Sequence, residues 1–241
     1  DAVDYTIGEL AKLTIVDTSW KQACMVPHWE RGDKEIVRIH FGESQKELKA
    51  LALGNSIGTG EEGITADVVE VKGFEDLEKL GTDNISGKIV FYNRPMDPKK
   101  LSTGHAYGEA VDQRVHGASR ASKYGAVAVL VRSMTTQHDD FPHTGVQVYD
   151  PAVKAIPSLA ISTNDANYLS ATLAEQSVNA YIKNNSRMLE DAESYNVIAE
   201  IKGSTHPDEI ILVGGHLDSW DVGGGAHDDG AGCVHAMQVF E

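Results

Sequence analysis

Cysteine is scarce in this chain, with two residues, Cys24 and Cys233, among 241. They lie far apart and form no C-x-x-C pair, which excludes a disulfide-stapled scaffold and a cysteine zinc ribbon. We read them as two buried free thiols, with a single bridge between them as the alternative. Positive charge is also in short supply: 21 Lys and Arg stand against 36 Asp and Glu, a formal net charge of −15. Such a surface repels polyphosphate, so no nucleic-acid or anionic-membrane partner is expected. Long apolar runs are missing too. The longest, at 126–131, is far too short to span a bilayer. No basic segment followed by an apolar one opens the chain, so no signal peptide is expected within it. What is present, 41% hydrophobic and 24% charged residues, is the composition of a globular protein with enough length for one large domain or two ordinary ones.

Periodicity predicts an α/β chain. Ile7, Leu10 and Leu13 repeat at helical spacing near the start. Two apolar runs between 23 and 39 read as strands, separated by a loop at 27–33. Residues 64–71 alternate like a half-buried strand, 74–80 form a short helix, and 87–92 form a strand. The spacing predicts one helix over 108–124, ended by Gly125, then a buried strand at 126–131 and a polar loop at 132–151. Strands follow at 156–161, 178–182, 196–201 and 210–213, with a helix at 164–174 and the start of another at 230–241. The continuously apolar 210–213 run is the pattern of a central strand buried on both faces. Residues 50–173 have strands and helices of their own. Such a pattern suggests an inserted domain between core segments 1–49 and 174–241, with a plain tandem as the alternative.

The chemistry concentrates in Val213-Gly-Gly-His216-Leu-Asp218-Ser-Trp220-Asp221-Val-Gly-Gly-Gly-Ala-His-Asp228-Asp229-Gly-Ala-Gly232. A strand ending at Val213 would deliver His216 to its carboxyl end, where open α/β sheets bind ligands. His216 could ligate a metal, with Asp218 two residues on fixing the ring's tautomer and orientation. Glycines 223–225 let the loop swing back, so that Asp228 can offer both oxygens to a pair of metal ions. A lone H-x-D would be a solvated loop. Two further carboxylates on a glycine-rich turn after a buried strand change that judgement. A phosphate-cradling loop is rejected, because no Lys or Arg lies between Lys202 and Glu241 and four aspartates would repel an anion.

This stretch resembles the first metal motif of the M28 zinc peptidases. Val26-Pro-His-Trp-Glu-Arg-Gly32, Leu53-Gly-Asn-Ser-Ile-Gly-Thr59, Pro142-His143-Thr-Gly145 and Ile156-Pro-Ser-Leu-Ala160 are similar to that family as well. The resemblance implies part of a doubly wound zinc-peptidase sheet with an inserted β-rich protease-associated (PA) domain at 50–173. It implies His216 and Asp228 as metal ligands, Asp228 bridging, with two zinc ions per complete active site and Asp218 as the catalytic aspartate supporting the histidine. It further implies a cis peptide at Asp228–Asp229. The family takes its general base and remaining ligands from a later Glu-Glu pair, Asp and His, and these positions do not occur in the 241 residues. The expected function is a co-catalytic dizinc exopeptidase of carboxypeptidase, aminopeptidase or dipeptidase type, acting on dipeptides or peptide ends and present here as an N-terminal portion inactive alone. The resemblance adds a secreted, periplasmic or lysosomal location and a homodimer. The rival reading is a non-catalytic peptide- or protein-binding module with a vestigial metal motif.

Other candidates carry less. Trp220 and His143 are assigned to the substrate cleft. His138, Asp139, Asp140 and His143 cluster on one loop, but nothing fixes their spacing. His235 and Glu241 are tempting extra ligands, yet His235 shares the outer face of its helix with Gln238, opposite Cys233, Met237 and Phe240. His28 and Trp29 are read as structural. Ser219 has no G-x-S-x-G context. Asn84-Ile-Ser86 and Asn184-Asn-Ser186 fit the N-glycosylation pattern.

Overall fold

The computed structural model describes residues 1–240 and divides them into two compact units: Asp1–His28 together with the chain from Glu190 on, and Trp29–Leu189. Helix α1 (Ala2–Leu10) starts the chain, its first turn capped by the Asp1 carboxylate, which accepts the Asp4 N–H at 2.9 Å. Strand β1 (Thr18–Glu30) follows. The larger unit contains β2 (Ile36–Phe41), β3 (Ser44–Leu48), β4 (Ala50–Ala52), β5 (Ile64–Val71), α2 (Phe74–Ile85), β6 (Ile89–Tyr92), α3 (Thr103–Ala110), α4 (Asp112–Val115), α5 (Gly117–Ser122), β7 (Ala128–Arg132), β8 (Ser158–Ile161), α6 (Thr163–Glu175) and β9 (Asn179–Lys183). Then come β10 (Arg187–Glu200), paired with β1 in a two-stranded sheet, and α7 (Ala231–Gln238).

The eight strands β2 to β9 form one mixed sheet in the order β3-β2-β9-β5-β6-β7-β8-β4. Four strands in its middle, β5 to β8, are parallel, and the pairings on either side are antiparallel. Only Lys49 separates β3 from β4, yet they lie at opposite ends of the order. The sheet therefore curls until its ends meet, as a barrel does. Lys49 holds the seam: its N–H donates to the Asp165 carboxylate at 2.6 Å and its carbonyl accepts the Ser162 N–H at 3.1 Å.

Every residue of β6 and β7 is buried, which their continuous apolar sequence requires of strands covered on both faces. Alternate side chains go to opposite sides. Val90, Tyr92, Val129 and Val131 pack with Leu77, Ile85, Ala106, Ala110, Ala118 and Ala121 of the helices α2, α3 and α5. Ile89, Phe91, Ala128 and Leu130 pack with Ala166 and Leu169 of α6 and with Val37, Ile39 and Ile182 of β2 and β9.

Several expectations shift in the structure. The 108–124 helix is three short ones, α3, α4 and α5. His116, at φ −116° and ψ −5°, lies between α4 and α5, and Gly117 beside it meets Tyr92. A Cβ there would lie 2.9 Å from the ring, and the Tyr92 hydroxyl donates to the Gly117 carbonyl at 3.0 Å. The 27–33 loop is shorter than expected, because β1 continues through Pro27 to Glu30; a two-stranded ribbon has a free side that tolerates a residue with no N–H. The 210–213 strand does not form. Among the described residues no strand pairs with it, and Ile211 stands 92% exposed. A continuous apolar run becomes a central strand only when neighbours supply a ladder on each side and cover on each face. The larger unit also extends past 50–173 at both ends, since the β2–β3 hairpin is hydrogen-bonded to β9. Both cysteines are free and half-buried. Asn184 is 1% exposed and donates to the Ile57 carbonyl at 3.1 Å, so in the folded protein it is closed to a glycan.

Candidate metal centre

The chain from Ile210 to Trp220 is irregular, and it is held by its own side chains and by the turn that leads into α7. His216 is the hub. Its Nδ1 lies 2.9 Å from the Asp218 carbonyl oxygen and 3.3 Å from the Asp218 carboxylate. Its Nε2 lies 2.9 Å from Oδ1 of Asp228. The H-x-D spacing thus puts Asp218 behind the ring, and Asp228 returns to its front. Gly225 makes the return possible. It adopts φ +62°, and a Cβ there would sit 2.5 Å from Cβ of Ser219. Glycines 223 and 224 have open space around them and carry no such constraint. The peptide between Asp228 and Asp229 is cis.

The Asp218 carbonyl, followed by the Asp228 carboxylate, raises the His216 pKa above the usual 6.5. Two consequences have opposite signs. The imidazolium's bonds support the folded turn fully below the unfolded pKa of about 6.5 and fade as pH rises through the higher folded value. A metal needs the neutral ring, so affinity falls about tenfold for each pH unit below that folded value. Asp228→Asn should therefore lower the His216 pKa, read from the pH titration of its ring protons by NMR. An unchanged midpoint would mean the carboxylate does not act on the ring.

Three of the residues singled out in the sequence thus come together: His216, Asp218 and Asp228. As a donor set they fit part of a zinc site. Imidazole nitrogen and carboxylate oxygen are zinc's own ligand types, and donors about 2.0–2.2 Å from a tetrahedral ion lie about 3.3–3.6 Å apart, so this pair, now 2.9 Å apart, would open by about half an ångström. Among the described residues no group of three or more His, Cys, Asp or Glu side chains is placed to hold an ion. A cavity of about 580 Å³ opens beside His216, lined in part by Cys24, Val26, Tyr195, Asn196 and Asp218.

The remaining candidates are placed elsewhere. Trp220 is 40% exposed, on a turn closed by the Gly223 N–H to its carbonyl at 3.0 Å. Ser219 donates to the Gly223 carbonyl at 3.4 Å, a turn contact that gives it no base. His143 belongs to the Trp29–Leu189 unit, where its N–H donates to Ser133 Oγ at 2.8 Å. In the same loop His138 lies 3.1 Å from the Asn167 amide and Asp140 accepts from Asn164 at 2.9 Å, so the cluster is pinned to α6 rather than converging on an ion. Trp29 is structural, its Nε1 donating to the Ser56 carbonyl at 2.9 Å. His235 is exposed, and Glu241 lies outside the described residues. Sequence reasoning leaves Asp229, Gly215 and Cys233 without roles. Asp229 is visible in the sequence as a carboxylate beside Asp228, but its contacts with Gly215 and Gly232 come only from the fold.

Residues 196–241 match the model of peptidase family M28. The matched segment contains the whole His216–Asp229 constellation. The chain at large is similar to carboxypeptidase Q: 42% identical over 220 residues to the Bos taurus protein, an alignment covering 89% of this chain and 43% of that one. Identity to carboxypeptidase Q of Homo sapiens is 41% over 221 residues, with the same two coverages. A solved peptidase M28 precursor from Shewanella amazonensis SB2B superimposes with a TM-score of 0.88 at 39% identity, covering 95% of this chain and 51% of that chain. The chain thus spans less than half the length of these curated relatives. Among the described residues no helix is long and apolar enough to cross a membrane.

Proposed function

We propose that the chain carries part of the active site of a zinc-dependent exopeptidase, in which His216 and Asp228 hold metal and Asp218 orients the imidazole. The observation that carries this reading is the 2.9 Å approach of His216 Nε2 to Asp228 Oδ1, with the opposite ring nitrogen engaged by Asp218. Zinc bound there would act as a Lewis acid toward a peptide carbonyl and lower the pKa of water. Asp218 accepts the Nδ1–H of the ring, which leaves the Nε2 lone pair for the metal. Asp228 has a second oxygen for a second ion, which supports two zincs in the complete site. The cavity beside His216 has room for a dipeptide or a peptide end, the substrate class proposed. The Trp29–Leu189 unit, with its own curled sheet and core, is proposed as the inserted PA domain, and Trp220 and His143 as substrate contacts. Two donors bind zinc weakly, and peptide hydrolysis also needs a proton acceptor. The 241 residues alone are therefore proposed to be inactive.

Zinc titration by isothermal calorimetry, followed by a dipeptide hydrolysis assay on the same sample, tests this. Saturable but weak zinc uptake without hydrolysis is expected. Hydrolysis by the chain alone would overturn the proposed inactivity, and no zinc uptake even at millimolar metal would overturn the metal role.

A further inference from the structure

We propose that Asp229 is a positioning residue for the metal donor: its carboxylate, seated between Gly215 and Gly232, fixes the main chain of His216 and so the place of Nε2. The inference rests on the reading of His216 as a zinc ligand. Asp229 Oδ2 accepts the His216 N–H at 3.2 Å, and Oδ1 accepts the Gly232 N–H in the first turn of α7 at 3.0 Å. The slot is built for this carboxylate. A Cβ on Gly232 would come within 2.3 Å of Oδ1, and one on Gly215 within 2.8 Å of Oδ2. Alanine at either position would expel the group that joins the two segments.

The consequence appears when the bonds of His216 are taken together. Its N–H goes to Asp229, its carbonyl accepts the Cys233 thiol at 3.1 Å, and its Nδ1 faces the Asp218 carbonyl. Asp229, Cys233 and Asp218 hold three of its four polar atoms, and the fourth, Nε2, meets Asp228 Oδ1 at 2.9 Å. A metal ligand must be placed to within about 0.2 Å, and a main chain tied at both its N–H and its carbonyl meets that demand where an open irregular segment would not. A carboxylate accepting two backbone N–H groups makes charge-assisted bonds, the strong kind. Asp229 is also the neighbour of Asp228, so one residue sets the spacing of both donors. The competing role is that Asp229 only caps α7.

The experiment uses the ¹⁵N-labelled 241-residue chain, with Asp229→Ala and Asp229→Asn. In metal-free protein, hydrogen exchange at the His216 amide is compared with exchange along 234–238, and zinc affinity is then measured by titration. Positioning predicts that Asp229→Ala speeds exchange at His216 about tenfold and weakens zinc about 10- to 100-fold, the range found for groups that orient a ligand. Asp229→Asn keeps an acceptor oxygen and should fall between the two. Faster exchange along 234–238, with the His216 amide and zinc affinity unchanged, would show capping alone and overturn the proposal. Should the parent chain take up no zinc, the peptidase reading fails, while exchange at His216 still decides whether Asp229 holds it. If Asp229→Ala does not fold, the Asn variant decides the question through the same two measurements.

Discussion

His216→Ala is expected to reduce zinc affinity at least 100-fold, the largest effect on metal of any single change. The imidazole is one of two donors in the constellation, and only it is fixed from behind. Loss of a group that merely orients a ligand costs about 10–100-fold, so loss of the ligand itself must cost more. Asp228→Ala should come close to the same loss. Asp218→Ala should cost tenfold or less, because the contact at 2.9 Å is made by the Asp218 main-chain carbonyl, which alanine keeps, while the carboxylate stands at 3.3 Å. The order His216, Asp228, Asp218 can be read from cobalt(II) absorption titrations of the three variants. Equal affinities in all three would remove the metal assignment from this turn.

Phe91→Ala is expected to be the most damaging core substitution, at about 3–5 kcal/mol. Phe91 is fully buried in β6, between parallel strands β5 and β7 and under α6, among Leu130, Leu159, Leu169 and Ile182. Collapse around the vacated ring is resisted because β6 has a paired strand on each side and buried side chains on both faces. The urea midpoint of the Trp29–Leu189 unit reports the loss, and a change below about 1 kcal/mol would mean the barrel relaxes into the gap. Zinc affinity should be unchanged by this substitution, since the donors belong to the other compact unit.

Those two predictions draw on residues that differ in how readily they can be read from sequence. Phe91 belongs to a short apolar run read as a strand from its pattern, and β6 and β7 form where that pattern places them. His216, Asp218 and Asp228 are legible because residue chemistry and glycine spacing are local, and the turn that joins them is local too. The run at 210–213 misleads for the opposite reason. Its pattern states what a strand would need, while the ladder itself must come from other segments. Asp229 is visible as a carboxylate but not as a clamp, because its partners Gly215 and His216 sit 13 or more residues earlier in the chain.

By itself the sequence determined the α/β character, the buried strands of the larger unit and the short list of atoms able to hold a metal. These depend on side-chain type and on periods of two and 3.6 residues, which the order of amino acids states directly. Only the tertiary structure decided that the sheet curls until β3 and β4 meet at Lys49, and that one long helix becomes three, with Gly117 against Tyr92. It also decided which oxygen stands behind the imidazole. Such features are set by contacts between distant segments, whose energies depend on shape and distance rather than on neighbours in sequence.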